Sequence, residues 1–343
     1  MRILFKDSTS HSQRQKEKEV WIYPAHLSMY ATYLRNEGHE VSWFGKDDGS
    51  FDQIIDSDLN IPIHFEKLPI PDRKFTNSMN PKYLSYGNYM MNKGTHILSS
   101  NLCWWAGAKG CVFCLDSKRI MEGEHRGIRT VDHVIEEIED CVRIGHNECF
   151  DDAGTIPINA WLEEFCLKMI KSGLNKKIVL GCNLKPIKQD FQLMKRAGFR
   201  FILVGVESAN QKTIDIIQKG QHSEKVVENL KAMSDAGLEP HITGMFGYVH
   251  ETHEDAMKTV HLFHHLLKKG YAKTAQASVY SPPRTLADPN STGHKYVPMI
   301  YDVYRSPEFW LRKIRDIKRW QHVTYIMRGG RLVIEEKLRK VFR

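Results

Sequence analysis

The sequence predicts an α/β protein: a partial (β/α)6 barrel of the TIM type, with a small truncated α/β segment ahead of it and a helical C-terminal tail. Two observations carry this. From Thr95 onward, six short apolar runs (96–99, 148–150, 178–180, 201–206, 241–246 and 274–280) alternate with amphipathic segments near 131–144, 158–172, 187–197, 210–218, 223–236 and 253–269. A glycine stands near the end of each helical segment: Gly145, Gly173, Gly198, Gly220, Gly237 and Gly270. Repeated strand–helix units of this length mean a parallel sheet covered by helices. Six units are too few for a closed eightfold barrel, and in barrels of this kind chemistry sits at the carboxyl ends of the strands.

The elements follow in order. Residues 1–45 read as strand, helix, strand: Arg2 to Phe5 is apolar, Leu27, Tyr30, Ala31 and Leu34 recur at helical spacing, Gly38 stops the helix, and Glu40 to Phe44 is a second strand. Residues 46–94 are polar and carry Pro62, Pro69, Pro71 and Pro81, which predicts a linker of irregular structure. The domains expected are 1–75 for the N-terminal segment and linker, 90–290 for the barrel and 291–343 for the tail. The net charge of +8 is concentrated in the tail, where residues 304–343 hold twelve Lys/Arg against four Asp/Glu. There Trp310, Ile314, Ile317 and Trp320 lie among Arg312, Lys313, Arg315, Lys318 and Arg319. That pattern fits either a docked amphipathic helix or a surface for nucleic acid or an anionic membrane. No run approaches the ~18 apolar residues of a transmembrane helix, and the first residues turn polar too early for a signal peptide. A cytoplasmic location is the expectation.

Seven cysteines, an odd number in a long chain, argue against a disulfide framework. Three of them, Cys103, Cys111 and Cys114, fall within twelve residues, directly after the first barrel strand, with the spacing Cys-x7-Cys-x2-Cys. A 4Fe–4S cluster usually takes one cysteine per iron, so three leave one iron open to an exogenous ligand. The chemical rival is zinc, completed by Asp116 or His125, because a structural zinc wants four ligands; three unrelated thiols are the remaining alternative.

The Cys-Trp-Trp opening at 103–105 and the Cys-Val-Phe-Cys ending at 111–114 resemble the cluster loop of radical S-adenosylmethionine (SAM) enzymes, with four residues more than their commonest spacing. They are similar to a branch with cobalamin-binding N-terminal domains that includes enzymes methylating ribosomal peptides. Further segments fit in the same order. Cys149-Phe150-Asp151-Asp152 ends the second strand, where the family grips the amino end of SAM, and a carboxylate suits an ammonium, although either Asp can also cap a helix. Gly181-Cys182-Asn183-Leu184-Lys185 ends the third, with Lys185 where an Arg is common. Val204-Gly205-Val206-Glu207-Ser208, ending the fourth, resembles the family's Gly-Val-Glu-Ser signature and is followed by Gln218-Lys219-Gly220. Gly244-Met245-Phe246 lies on the fifth, with Val249 and His250 replacing a usual Pro-Gly, and Glu251-Thr252 caps the next helix.

The resemblance implies that SAM's amino and carboxylate groups occupy the open iron and that electron transfer cleaves SAM to a 5′-deoxyadenosyl radical. It implies cofactor contacts from Phe113, which packs near the adenine, and from Asp151, Asp152, Asn183, Lys185, Glu207, Ser208 and the backbone of Gly244, Met245 and Phe246. It also implies an electron donor, a reductase or a flavodoxin or ferredoxin, and as product a modified, for example methylated, peptide or small molecule. RNA modification through the basic tail and a non-catalytic zinc- and nucleic-acid-binding protein are the alternatives. Cobalamin is not expected, because only the first strand–helix–strand of its usual domain precedes Leu68-Pro69-Ile70-Pro71-Asp72-Arg73, which resembles the family's linker.

Overall fold

The computed structural model describes residues 1–6, 22–55, 61–84, 93–317, 320, 323, 324, 326 and 327. At the N-terminus, β1 (Arg2–Phe5) is flanked in parallel by β2 (Glu40–Trp43) and β3 (Gln53–Ile55). Helix α1 (Ala25–Asn36) covers them, packing Leu27, Tyr30, Ala31 and Leu34 against Ile3, Phe5 and Ile55. The third strand corrects the expectation that 46–94 is irregular. Only Ile55 of its three residues is buried, so no periodicity announces it. The same tract contributes a 3-10 turn, Phe65–Lys67, whose Phe65 enters the N-terminal core, and a short helix α2 (Pro81–Leu84).

The barrel strands follow: β4 (Gly94–Ile97), β5 (Glu148–Asp151), β6 (Val179–Asn183), β7 (Phe199–Glu207), β8 (Glu239–Phe246) and β9 (Thr274–Val279). They pair in parallel in chain order, forming an unclosed six-stranded sheet. Between them run α3 (Leu115–Met121), α4 (Val131–Ile144), α5 (Ala160–Lys171), α6 (Phe191–Arg196), α7 (Gln211–Ile216), α8 (Ser223–Asp235) and α9 (His253–Lys269). Their ends obey local chemistry. Thr130 caps α4 by accepting from the His133 amide, and Gly145, at φ +108°, ends it in the left-handed conformation that glycine favours. Thr252 and Asp255 form a reciprocal capping box on α9, as expected for Thr252.

Side chains alternate across the sheet. Cys149, Leu180, Cys182, Ile202, Val204 and Ile242 join the core shared with the helices. The inner face carries a ladder of rings, His96–Phe150, Phe150–Phe201 and Phe201–His241, with centroids 5.8, 5.8 and 5.5 Å apart. Gly181 makes the middle contact possible: a Cβ there would stand 2.7 Å from the Phe150 ring. The ladder closes the interior beneath the carboxyl ends of the strands.

After β9, α10 (Gly293–Tyr301) sends Tyr296 and Ile300 into the barrel core. Helix α11 (Pro307–Arg315) buries Phe309, Arg312 pairs with Asp316 at 2.7 Å, and Lys313 donates to the Lys273 carbonyl at 2.8 Å. Burial pushes the Lys313 ammonium down to about 8. Part of the basic pattern is thus docked on the barrel, while Lys318 and Arg319 lie outside the described residues. No described helix is long and apolar enough to cross a membrane.

The N-terminal unit is joined to the barrel through a buried ion triad. Arg73 and Arg129 both donate to Glu137 of α4, and all three side chains are at most 1% exposed. Other donors find acceptors nearby: Arg73 reaches Thr95 Oγ1 at 2.7 Å and the His96 carbonyl at 3.0 Å, and Arg129 reaches the Leu98 and His133 carbonyls at 3.0 and 3.1 Å, while Arg73 Nε has no partner among the described residues. The Arg73 guanidinium also lies 4.7 Å from the Tyr23 ring centroid. Burial alone would raise the Glu137 pKa, but Arg129 and Arg73 reverse that and hold it below the usual carboxylate value. A carboxyl depressed in the folded state contributes stability above its unfolded value and loses it as pH falls through the folded one. Glu137→Ala is expected to cost ~3–5 kcal/mol at neutral pH, because two guanidiniums are left buried without their counter-ion. In denaturant titrations the gap to the parent should narrow below about pH 4.3, where the unfolded carboxyl takes up its proton; a gap independent of pH down to full acid unfolding would contradict this account.

Candidate functional site

The loop from the end of β4 to α3 carries the three cysteines, with Cys111 buried and Cys103 and Cys114 half-buried. Cys114 is the N-cap residue of α3. The loop's shape is imposed from several sides. The Cys103 amide donates to Asp116 Oδ2 at 2.7 Å, the Val112 amide to the Ile217 carbonyl at 3.2 Å, and the Trp105 indole to the Gln218 carbonyl at 2.8 Å. Gly154 and Gly220 let neighbouring segments press in: a Cβ at 154 would meet Asp116 Oδ2 at 2.1 Å, and one at 220 would meet the Trp105 ring at 1.9 Å.

Two lysines stand beside the thiols. Lys219 Nζ pairs with Glu207 Oε1 at 2.8 Å and lies 5.4 Å from the centroid of Phe113. Burial would lower its pKa, but Glu207 and Cys111 outweigh that and raise it. Lys185 Nζ donates to the Lys219 carbonyl at 2.5 Å and sits 3.9 Å from the centroid of a Trp105 ring. Burial, then the Lys219 charge, lowers it to about 8. Burial raises the Cys111 thiol to about 11 and also lifts Cys114, while the lysines pull Cys111 back; a metal binding there must displace protons.

Glu207 is held at φ +62°, a region that side-chain-bearing residues rarely adopt, where the β7–β8 register shifts between Gly205 and Glu207. Gly205 is required beside it, since a Cβ would fall 2.4 Å from Glu207 Oε1 and 2.5 Å from Lys219 Nζ. An apolar wall completes the site: Phe113, Met245 and Tyr280 pack on Ile214, Ile217 and Tyr248. The buried Tyr248 hydroxyl and Trp104 indole have no partner among the described residues. Burial, then Glu207, raises the Tyr248 pKa well above 10.

The other expected residues divide by position. Asp151 is buried, and its Oδ1 accepts from the Ser99 and Ala153 amides at 3.0 and 3.2 Å, locking the loops that follow β4 and β5. Asp152 is exposed to solvent and lines the mouth of a cavity of about 210 Å³, with Tyr23, His26, His96 and Leu98 among its walls. Desolvation by the surrounding protein and then the Asp151 charge raise it to about 7, against a hydrogen bond from Asn183. Asn183 also donates to the Ala153 carbonyl at 2.8 Å. Ser208 is buried, 3.3 Å from Thr259 Oγ1, and accepts from the Asn210 amide, so its hydroxyl serves the turn into α7. A Cβ on Gly244 would face the Phe263 ring, and the Phe246 side chain lies in the core against Tyr296. Of that segment, Met245 alone sends its side chain into the wall with Phe113.

Residues 99–263 match the family model of the radical SAM superfamily. That segment is a radical SAM domain. Among curated proteins it is 26% identical over 201 residues to the anaerobic magnesium-protoporphyrin IX monomethyl ester cyclase of Cereibacter sphaeroides, covering 55% of this chain and 32% of that protein. It is 24% identical over 131 residues to the GTP 3′,8-cyclase of Peptoclostridium acidaminophilum, covering 38% of this chain and 40% of the other. Among solved structures it resembles the cobalamin-dependent SAM radical enzyme OxsB with aqua-cobalamin and SAM bound, at TM-score 0.57 and 11% identity, over 91% of this chain and 56% of that one. That likeness extends the shared fold to the N-terminal unit. The chain thus spans between a third and three-fifths of the length of these proteins.

A radical SAM domain implies a 4Fe–4S cluster and SAM, and this site fits both. The three thiols offer one ligand to each of three irons. The two non-cysteine residues that could complete a zinc site are engaged otherwise: Asp116 holds the Cys103 amide, and His125 Nδ1 faces His64 Nδ1 at 3.4 Å. Nor are the three cysteines gathered around one ion-sized point, where a tetrahedral zinc would bring its sulfurs to about 3.8 Å. Tyr248 and Trp104 offer unpartnered polar atoms for a polar ligand.

Three residues of this site were not singled out as cofactor contacts from the sequence: Lys219, Tyr248 and Trp105. Lys219 was visible within Gln218-Lys219-Gly220, but its partnership with Glu207 depends on the turn after α7. Gly220→Ala is expected to displace Trp105 and destabilise the protein by ~1–3 kcal/mol, with a lower iron content after reconstitution and an unchanged far-UV spectrum. Full iron loading in that variant would show that Trp105 does not shape the loop.

Proposed function

We propose that this chain is a radical SAM enzyme that reductively cleaves SAM at a 4Fe–4S cluster held by Cys103, Cys111 and Cys114. The observation that carries this is the cysteine loop at the carboxyl end of β4, set against Lys185 and the Lys219–Glu207 pair. A 4Fe–4S cluster held there would supply the one electron that converts SAM to methionine and a 5′-deoxyadenosyl radical. The protein's own part is to bind and orient. Lys219 neutralises Glu207 through one carboxylate oxygen, which leaves the second to accept from SAM's hydroxyl or ammonium groups. Lys185, held over Trp105, supplies a positive charge to a carboxylate. Phe113 and Met245 give the adenine an apolar surface. Asp152, at the mouth of the cavity, provides a carboxyl whose proton is exchangeable near neutrality.

The product is a modified peptide or small molecule, methylation among the candidate outcomes, with the electron coming from a reductase, flavodoxin or ferredoxin. Support for an open substrate route comes from β9, the edge of the unclosed sheet, whose Gln276 and Ser278 are exposed. RNA as substrate draws only on the basic tail, whose Arg312 and Lys313 are docked.

Anaerobic reconstitution with iron and sulfide, followed by dithionite and SAM, should yield 5′-deoxyadenosine from the parent and none from a Cys103→Ala, Cys111→Ala, Cys114→Ala variant. Cluster formation without product would overturn the catalytic reading, and zinc in place of iron would overturn the cluster. Glu207→Gln should keep its iron while SAM binding weakens roughly tenfold or more, the loss of ~1.4 kcal/mol; unchanged SAM affinity would remove Glu207 from the site.

A further inference from the structure

A second group of metal-binding side chains lies outside the cysteine loop. His64, Glu66 and His125 are exposed, and their donor atoms all lie within 4.8 Å of one another, the one such group among the described residues. His64 Nδ1 stands 3.4 Å from His125 Nδ1 and 3.8 Å from Glu66 Oε1. The rings cross edge to face, with centroids 4.8 Å apart and planes at 78°. A tetrahedral zinc with Zn–N of about 2.05 Å sets its nitrogens about 3.3 Å apart, close to the spacing of the two imidazoles.

The surroundings hold these groups in place. His64 and Glu66 flank Phe65, which is anchored in the N-terminal core. The His125 carbonyl accepts from Asn101 Nδ2 at 3.1 Å, and Asn101 Oδ1 accepts from the Gly127 amide at 2.9 Å, so the loop carrying His125 hangs from the residue two before Cys103. The approach of the two segments requires Gly127: a Cβ there would stand 2.3 Å from Glu66 Oε2 and 2.9 Å from Phe65 Cβ.

We propose that His64, Glu66 and His125 bind a divalent zinc-type ion, with water in the remaining position. Two imidazoles and one carboxylate suit zinc. The ion would staple the turn at 64–66 of the N-terminal unit to the loop that leaves the cluster segment. Its action is therefore on the position of that segment, not on the radical chemistry, and the inference stands independently of the proposed function.

The test uses the full chain with its cluster reconstituted, so that the cysteines are occupied. After excess zinc chloride and gel filtration, zinc and iron are counted by mass spectrometry. The parent should retain about one zinc beside about four irons. A Cys103→Ser, Cys111→Ser, Cys114→Ser variant should lose the iron and keep the zinc. His64→Ala, His125→Ala should lose the zinc and keep the iron, and Glu66→Gln should weaken zinc retention without touching either imidazole. Zinc should also raise the melting temperature of the parent and not that of the double histidine variant. The site is refuted if the loaded parent retains no zinc, if zinc persists in the histidine variant, or if it disappears with the cysteines.

Discussion

Glu137, wholly buried between Arg73 and Arg129, is the interaction on which the rest of the architecture hangs. Burying three charges carries a large desolvation cost, which only close pairing and further hydrogen bonds offset. Here those further bonds fall on consecutive parts of one segment: Thr95, His96 and Leu98. The triad therefore specifies where β4 ends and the cysteine loop begins. Because Arg73 comes from the N-terminal linker, the same contact orients that unit against the barrel mouth.

Downstream of this anchor, the site is organised by charge in a confined space. Lys219 is stable as a buried cation because Glu207 is beside it, and Glu207 tolerates a left-handed backbone because the β7–β8 register shift and Gly205 leave it nowhere else to go. Strain of this kind persists where surrounding contacts over-determine it. Lys185 adds a second cation, raised over Trp105 and tied to the Lys219 backbone. The result is a positive, partly apolar niche next to three thiols, preorganised before any ligand arrives.

The N-terminal unit is small, yet it closes one side of the cavity that Asp152 lines, and its turn at 64–66 touches the loop below the cysteines. Its three parallel strands pack their apolar face against α1. Contacts such as Arg35 with Asp72 at 2.7 Å and Thr32 with the Asp72 amide at 2.8 Å bind the helix to the linker that carries Arg73.

How much of this was legible differs by the range of the interaction involved. The six barrel strands and six of the helices between them were legible in local pattern, because alternation and 3.6-residue periodicity are properties of adjacent residues, whereas α3 was not expected. The cysteine spacing likewise pointed to a candidate cluster loop, since three thiols within twelve residues share one short segment. β3 escaped because three residues with a single buried side chain carry no period. The partnerships of Lys219 with Glu207, Asp116 with the Cys103 amide, and Arg73 with Glu137 join residues 12, 13 and 64 positions apart, and nothing local encodes which groups meet. The same holds for Phe246 and Ser208: both lie on the expected motifs, but the twist of β8 and the turn into α7 decide that one side chain enters the core and the other holds Thr259 and Asn210. The sequence by itself determined the parallel α/β architecture and the clustering of three cysteines on one loop, whereas the pairing of buried charges and the direction of each side chain were decided only when the sheet closed part-way and brought distant segments into contact.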